Sequence, residues 1–413
     1  MRRPARRPRG GGQGEGFIWF AAQDWWYHNQ AHSDFQLMRQ VARSRPVLVV
    51  NSLGLRAPGP RTSTRPGRRI LRKLRSMTRF LRRPVPGLPG FHVYTPVMLP
   101  AYGRSGAVYR FNALLIRTQV RVAARLAGIR GVPAIGATIP TAWPVVAGMA
   151  RSTLVFNRSD LQSAFPEADG QWVAGLERSF LTHSDHVLYV SHELMRRDSS
   201  LVGERAFFLD HGVDLDHFRA DGPVHPQIRE IPSPRIGFFG GIDDYVVDLD
   251  LIEQTARRIP DASMVLIGDA TCSMDFLTCL PNVHWLGKRD YRDIAALGRG
   301  FDIAIMPWLD NEWIRFANPV KLKEYLALGL PVVTTEYPEV EGWRHLVRVA
   351  DSPDGFIDEV RRALADPGDP EPRTQSVIPY SWAGRAQALL NNAGLLSSAG
   401  LQATAGPQDE GGR

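Results

Sequence analysis

Lysine is nearly absent. Among 50 Lys and Arg residues only Lys73, Lys288, Lys321 and Lys323 are lysine, so each stands out against an arginine background. The 2 cysteines, Cys272 and Cys279, supply neither a disulfide framework nor a four-ligand zinc set, which fits a reducing compartment. Apolar runs are short: FIWFAA, after the leader MRRPARRPRGGGQGEG, falls below what a signal h-region or a membrane span needs, and no other stretch approaches bilayer length. These shortages lead us to expect a cytoplasmic protein whose only membrane contact is peripheral, on the inner face of the plasma membrane. What is present is ample for two cores: 413 residues, 44% hydrophobic and 22% charged, with a formal charge of +8.

Periodicity divides the chain into two alternations of strand and helix. FIWFAA reads as a buried strand, DFQLMRQVARS as a helix opened by Ser33 or Asp34, and PVLVVNS as the next strand. FHVYTPVMLP, ALLIRTQVRVAARLAG, VPAIGAT, STLVFNRSD, WVAGLERSFLTHS and HVLYVS continue the pattern, as a parallel-sheet domain does. Pro223, Pro226, Pro232 and Pro234 mark a linker, and a second alternation starts at RIGFFGGIDD. We expect a disordered basic leader (1–16), an N-terminal Rossmann-like domain (17–225) and a C-terminal Rossmann-like domain (226–372). A C-terminal helix (373–396) should pack back toward the N-terminal domain, ahead of a disordered tail (397–413). Residues 56–83 interrupt the first domain with many arginines and no acidic residue.

NPVKLKEYLALGLPVVTT, residues 318–335, is a helix followed by a strand, with Leu322, Tyr325 and Leu326 spaced to bury one face. Asn318 suits the N-cap and Pro319 the first helical position, while Gly329 and Pro331 supply stop signals. Lys321 and Glu324, three apart, share a neighbouring face. An exposed helix N-terminus there would offer unpaired N–H groups and a positive partial charge to a phosphate. The plain alternative is a solvated surface pair.

Four motifs in order, GFFGGIDDYVVDLDLI, PNVHWLGKRDYRDI, GFDIAIMPW and NPVKLKEYLALGLPVV, with DHGVDLDHF upstream, resemble the group 1 (family 4-like) glycosyltransferases, in particular bacterial members linked to teichuronic acid or exopolysaccharide synthesis. The resemblance covers most of the chain, more loosely over 17–225. It implies an α/β fold of GT-B architecture, two Rossmann-like doubly wound domains facing each other across a cleft. It implies transfer of a sugar from a nucleoside diphosphate sugar to a glycan or lipid-linked acceptor, with retained anomeric configuration and no metal or other cofactor. Members carry two glutamates separated by seven residues. Glu324 stands at the second place, which clamps the ribose hydroxyls, but Phe316 stands at the first; Asp310 and Glu312 are off register. That gap keeps a second reading alive, a homologue that binds a nucleotide sugar without catalysis.

Such a transfer leaves extra charge on the diphosphate, which cations, backbone N–H groups or a helix dipole stabilise when no metal does. The donor candidates are therefore Asn318 and Lys321 for phosphate and Glu324 for ribose. Gly240 and Gly241, after a strand, would let the backbone approach the ligand, and Lys288 and Arg289 begin another loop at that edge. Turn geometry alone also explains the glycines, and a solvated loop explains Lys288 and Arg289. For the acceptor, the loop AAQDWWYHNQAHSD holds Asp24 and His28, and Asp160 in FNRSD matches a recurring aspartate of the related sequences. In residues 68–83 the positions Ile70, Leu71, Leu74, Met77, Phe80 and Leu81 fall at helical spacing among basic residues. That basic amphipathic helix suits an anionic membrane surface, or else packs on the first domain with its arginines solvated. Nucleic acid is not expected as a partner, since no binding motif or stacking aromatic series accompanies the arginines.

Overall fold

Strand β1 (Glu15–Phe20) presents Phe17, Ile18, Trp19 and Phe20 in succession, and all four are buried. Successive side chains point to opposite faces. Phe17 and Trp19 join a core with Phe35 and Met38 of the helix Ser33–Val41, while Ile18 and Phe20 join one with Ile116 and Val120 of the helix Ala107–Leu126. A strand covered on both faces is apolar throughout, so this run does not alternate with polar residues. The computed structural model describes residues 15–27, 32–54, 75–99, 106–165 and 168–395.

The other strands of this sheet are β2 (Val47–Val50), β3 (Leu81–Arg82), β4 (Phe91–Tyr94), β5 (Arg130–Ala137), β6 (Leu154–Arg158), β7 (His186–Tyr189) and β8 (Ala206–Phe208). Their order is β3-β4-β2-β1-β5-β6-β7-β8, parallel except for the β3–β4 pair. The second sheet contains β9 (Arg235–Phe239), β10 (Ser263–Ile267), β11 (Val283–Gly287), β12 (Ile303–Met306), β13 (Val332–Thr335) and β14 (Arg348–Ala350) in the order β11-β10-β9-β12-β13-β14, all parallel. Each sheet is doubly wound, and strand order reverses at β1/β5 and at β9/β12. Crevices open at such reversals beyond the carboxyl ends of the strands.

The helix Trp382–Asn392 returns to the first sheet: Trp382, Ala386, Leu389 and Leu390 complete the core that holds Phe17, Trp19 and Phe35. Between the sheets, Val213, Phe218 and Ile228 are buried in the second core, so the proline-marked segment is packed rather than a free linker.

Two local expectations need correction. The helix Ser33–Val41 is capped by His32, whose Nδ1 accepts from the Asp34 N–H, and not by Ser33 or Asp34. The helix expected to run through residue 83 stops earlier: Phe80 has φ 39° and Leu81–Arg82 form the antiparallel edge strand β3. A positive φ at a bulky residue cannot continue a helix. The leader up to residue 14, the tail beyond 395 and residues 56–74 of the insertion lie outside the described residues.

Candidate functional site

Strand β9 delivers Gly240 to the crevice of the second sheet. Its φ is 150°, and a Cβ there would fall 1.9 Å from Cε of Lys321 and 2.7 Å from Nζ. Gly268, after β10, has φ 158°, and a Cβ there would meet the Gly240 carbonyl oxygen at 1.7 Å. Glycine is therefore required at both strand ends by backbone and by contact. Gly241 is different: it is exposed, and a Cβ would meet nothing within 4 Å.

Lys321 reaches this crevice from the helix Val320–Ala327, whose Leu322, Tyr325 and Leu326 are buried as their spacing predicts. Its Nζ lies 5.4 Å from the Trp308 ring centroid and 6.0 Å from that of Phe238. Burial pulls the Lys321 pKa down, against the opposing pull of Glu324 and Asp243. Burial raises Glu324 to about 7, with Lys321 working against the rise and Asp214 adding to it. The sequence pair is thus a half-buried lysine and carboxyl that share one crevice, rather than a fully solvated surface pair. Among the described residues, neither side chain has a hydrogen bond. Beside them Tyr291, which feels the charges of Glu324, Asp214 and Arg39, accepts a 3.3 Å hydrogen bond from Gln36 of the N-terminal half.

We expect Gly240→Ala to destabilise the fold by about 1–3 kcal/mol through backbone strain and to push Lys321 out of the crevice. The check is chemical denaturation together with nucleotide titration. Gly241→Ala, with open space around it, should change neither.

Asn318 corrects the expected helix start. The N-cap position belongs to Pro319, without a side-chain cap bond, and the Asn318 amide donates instead to the Val190 carbonyl (2.7 Å) and to Asp210 Oδ1 (2.9 Å) of the N-terminal half. Its donors are engaged between the halves and are not offered to a phosphate. Lys288 is exposed after β11, and the Arg289 Nε is buried with no hydrogen bond among the described residues. Among the described contacts, neither meets Gly240, Lys321 or Glu324.

On the acceptor side, Asp24 is a correction. It is 9% exposed; Oδ1 accepts from the Trp26 N–H (3.0 Å) and Asn51 Nδ2 (3.4 Å), and Oδ2 from the Ser76 hydroxyl (2.8 Å). Both oxygens hold the loop together, which removes Asp24 as a free base. His28 lies outside the described residues. Asp34 is likewise a tie, accepting from Trp19 Nε1, the Ala22 N–H and Thr138 Oγ1. Asp160 is better placed. It follows β6, burial raises it to about 6, and the Trp313 indole of the C-terminal half stands near enough to oppose that rise. Ser159 donates to its Oδ2 at 3.0 Å.

Phe316, at the first-glutamate place, joins the N-terminal core cluster at 9% exposure, with the Arg197 guanidinium carbon 5.3 Å from its ring centroid. A carboxylate at that position would be buried in an apolar contact between the halves. Sequence reading gave no role to two groups that the fold collects here, Lys323 and His211. Lys323 is fully buried with Nζ 2.8 Å from Asp210 Oδ1. His211, in DHGVD directly after Asp210, is held neutral: burial lowers it to about 4, with Lys323 and His32 adding to the effect and Asp210 opposing it. His32 is lowered by burial too. The position of DHG just past the last strand of the first domain was the signal available for His211.

Comparison with known proteins agrees with this architecture. The family described as Glycosyl transferases group 1 matches residues 233–366, the part that carries β9 through the helix Pro353–Ala365. A Bacillus subtilis protein, the teichuronic acid biosynthesis glycosyltransferase TuaH, is 28% identical over 228 residues, which span 52% of this chain and 56% of the relative. Sucrose-phosphate synthase from Thermosynechococcus elongatus superposes with a TM-score of 0.67 at 13% identity, over 91% of this chain and 98% of that one. Anabaena HepE, solved in complex with UDP, superposes with a TM-score of 0.60 at 14% identity, over 93% of this chain and 100% of that one. The fold is GT-B.

Proposed function

We propose that this chain, whose residues 233–366 are a group 1 glycosyltransferase domain on a GT-B fold, transfers a sugar from a nucleoside diphosphate sugar to a glycan or lipid-linked acceptor in cell-surface polysaccharide synthesis. The observation that carries the reading is the half-buried pair Lys321 and Glu324, held against Gly240 at the β9/β12 crevice. Lys321 receives the diphosphate, and Glu324 accepts from the ribose hydroxyls. A leaving diphosphate gains negative charge as the anomeric C–O bond breaks, and a lysine partly withdrawn from water stabilises that charge more than a fully solvated one would. The cation is supplied by the protein, so the reaction is read as metal-independent, and we read it as retaining. With Asp24 engaged in its loop, Asp160 is the acceptor-side group with the fitting pKa, raised to about 6 by burial.

A thermal-shift panel of UDP, GDP, dTDP and CMP with their sugars, run at pH 6 and pH 8 on the protein and on Glu324→Gln, tests this. Glu324 titrates near 7 in the folded protein against an ordinary 4.5. The folded state therefore binds more protons than the unfolded one between those values. The contribution of this group to stability is fully present below the ordinary value and is lost as pH rises through about 7. Ribose hydroxyls need the carboxylate, so nucleotide stabilisation should grow from pH 6 to pH 8 and become flat in Glu324→Gln. No stabilisation by any nucleotide, or a Glu324→Gln variant stabilised as strongly as the parent protein at both pH values, would contradict the reading. Saturable nucleotide binding without transfer or donor hydrolysis would favour a binding homologue, the reading that Phe316 keeps open.

A further inference from the structure

Between Phe35 and Ser159 there is no aspartate or glutamate, while 22 residues are Arg or Lys. The whole chain carries 50 basic and 42 acidic residues, so the positive charge is gathered in the first half of the N-terminal domain and the remainder is net acidic. The helix Ala107–Leu126 lies inside this block. Its buried residues Ile116, Val120, Ala123 and Ala124 share the face turned to the sheet. On the opposite face, at helical spacing, Phe111 is 51% exposed, Leu114 57%, Val122 47% and Leu126 62%. Arg110, Arg121 and Arg125 are exposed along one flank of that stripe.

The patch continues onto a neighbouring segment that is fixed to the helix. Gln119 accepts from the Val97 N–H and donates to its carbonyl, and Asn112 does the same for Leu99. Val97 and Leu99 are themselves 44% and 46% exposed. Single exposed apolar residues are ordinary on a soluble protein, but a contiguous rigid patch rimmed by cations marks an interaction site.

We propose that this helix face docks the protein on an anionic lipid bilayer surface. An apolar stripe that enters the acyl boundary beside arginines that meet anionic headgroups is what an interfacial helix requires. A second copy of the chain fits poorly, because an isologous contact would set arginine against arginine with no carboxylate in the block to pair it. Nucleic acid would not use aliphatic residues at this exposure. Among the described residues no helix is long and apolar enough to span a membrane, so the contact is superficial. The helix follows β4 and leads into β5, so its Phe111 end lies toward the carboxyl edge of the first sheet, where Asp160 sits. Docking itself does not depend on the transferase reading; delivery of a lipid-linked acceptor to that edge does.

The test is flotation of the full-length protein with vesicles of phosphatidylcholine alone and of phosphatidylcholine mixed with phosphatidylglycerol. Binding should require phosphatidylglycerol and weaken with salt. Arg110→Gln with Arg125→Gln should weaken it about fivefold per residue, and Phe111→Ser with Leu114→Ser should weaken it by about tenfold or more. These side chains are exposed, so the variants should fold and should keep the nucleotide thermal shift of the parent protein. That separates this proposal from the donor reading. Absence of binding to anionic vesicles would overturn it. So would binding undiminished in both variants, which would assign the surface to residues 56–83, or self-association abolished by the same substitutions.

Discussion

Lys321→Met is expected to slow sugar transfer about 10²–10³-fold, the loss that follows removal of one donor aimed at developing charge. The side chain has the position for that effect. It lies against Gly240, is half-buried, and has carboxyl groups of Glu324 and Asp243 near enough to oppose the lowering of its pKa by burial. A competing explanation is that Lys321 only neutralises those two carboxyl groups. The two differ in the double variant. Lys321→Met with Asp243→Asn removes the lysine together with one carboxyl group that faces it and leaves Glu324 for the ribose, so a lysine that only neutralises charge predicts recovery of stability and of rate together. The donor reading predicts recovered stability and a rate that stays low. Measurement uses the donor identified by thermal shift, with steady-state rates and denaturation on the same samples. A single variant within about threefold of the parent rate would end the assignment.

The fold was legible where its determinants are local. Phe17 to Phe20 announce a strand covered on both faces, and the spacing of Leu322, Tyr325 and Leu326 gives the buried face of their helix. The donor side was legible in part for the same reason: Lys321 and Glu324 are neighbours on that helix, and Gly240 ends a strand. What escaped depends on partners distant in sequence. Lys323 looked like one more polar residue of the helix, because Asp210 is 113 positions away and is joined to it only by the meeting of the halves. Asp24 looked free because Asn51 and Ser76, which engage its oxygens, come from the end of β2 and from a helical turn far along the chain. Asn318 had every local qualification for an N-cap, yet Val190 and Asp210 take its amide. The spacing that extended a helix through Leu81 was also local, and pairing with β4 prevailed over it.

Lys323→Met should destabilise the protein by about 3–5 kcal/mol, the range for removing one partner of a buried ion pair. Asp210 would then keep a carboxylate at 6% exposure with, among the described residues, only Asn318 Nδ2 and the His211 N–H to satisfy it. The ammonium also sits 5.3 Å from the Trp343 ring centroid and 5.4 Å from that of Tyr380, so the pair ties β8 of the first sheet to the helix, the 338–343 turn and the 378–380 turn. Adding Asp210→Asn should recover most of the loss: the asparagine still accepts from both N–H donors, and no unpaired charge remains. Denaturation curves of the two single variants and the double variant supply the cycle. If Lys323→Met alone unfolds within about 1 kcal/mol of the parent, the pair is solvated in solution and the halves part there. The His192 contact with Glu339, whose ring Nδ1 lies 2.9 Å from Oε2 at an exposed histidine, would then be too weak to hold them together. Recovery in the double variant would instead mean that the halves keep their register by desolvated polar groups. The cleft containing Lys321, Glu324 and Asp160 would then be a preformed arrangement that does not wait for the donor to assemble it.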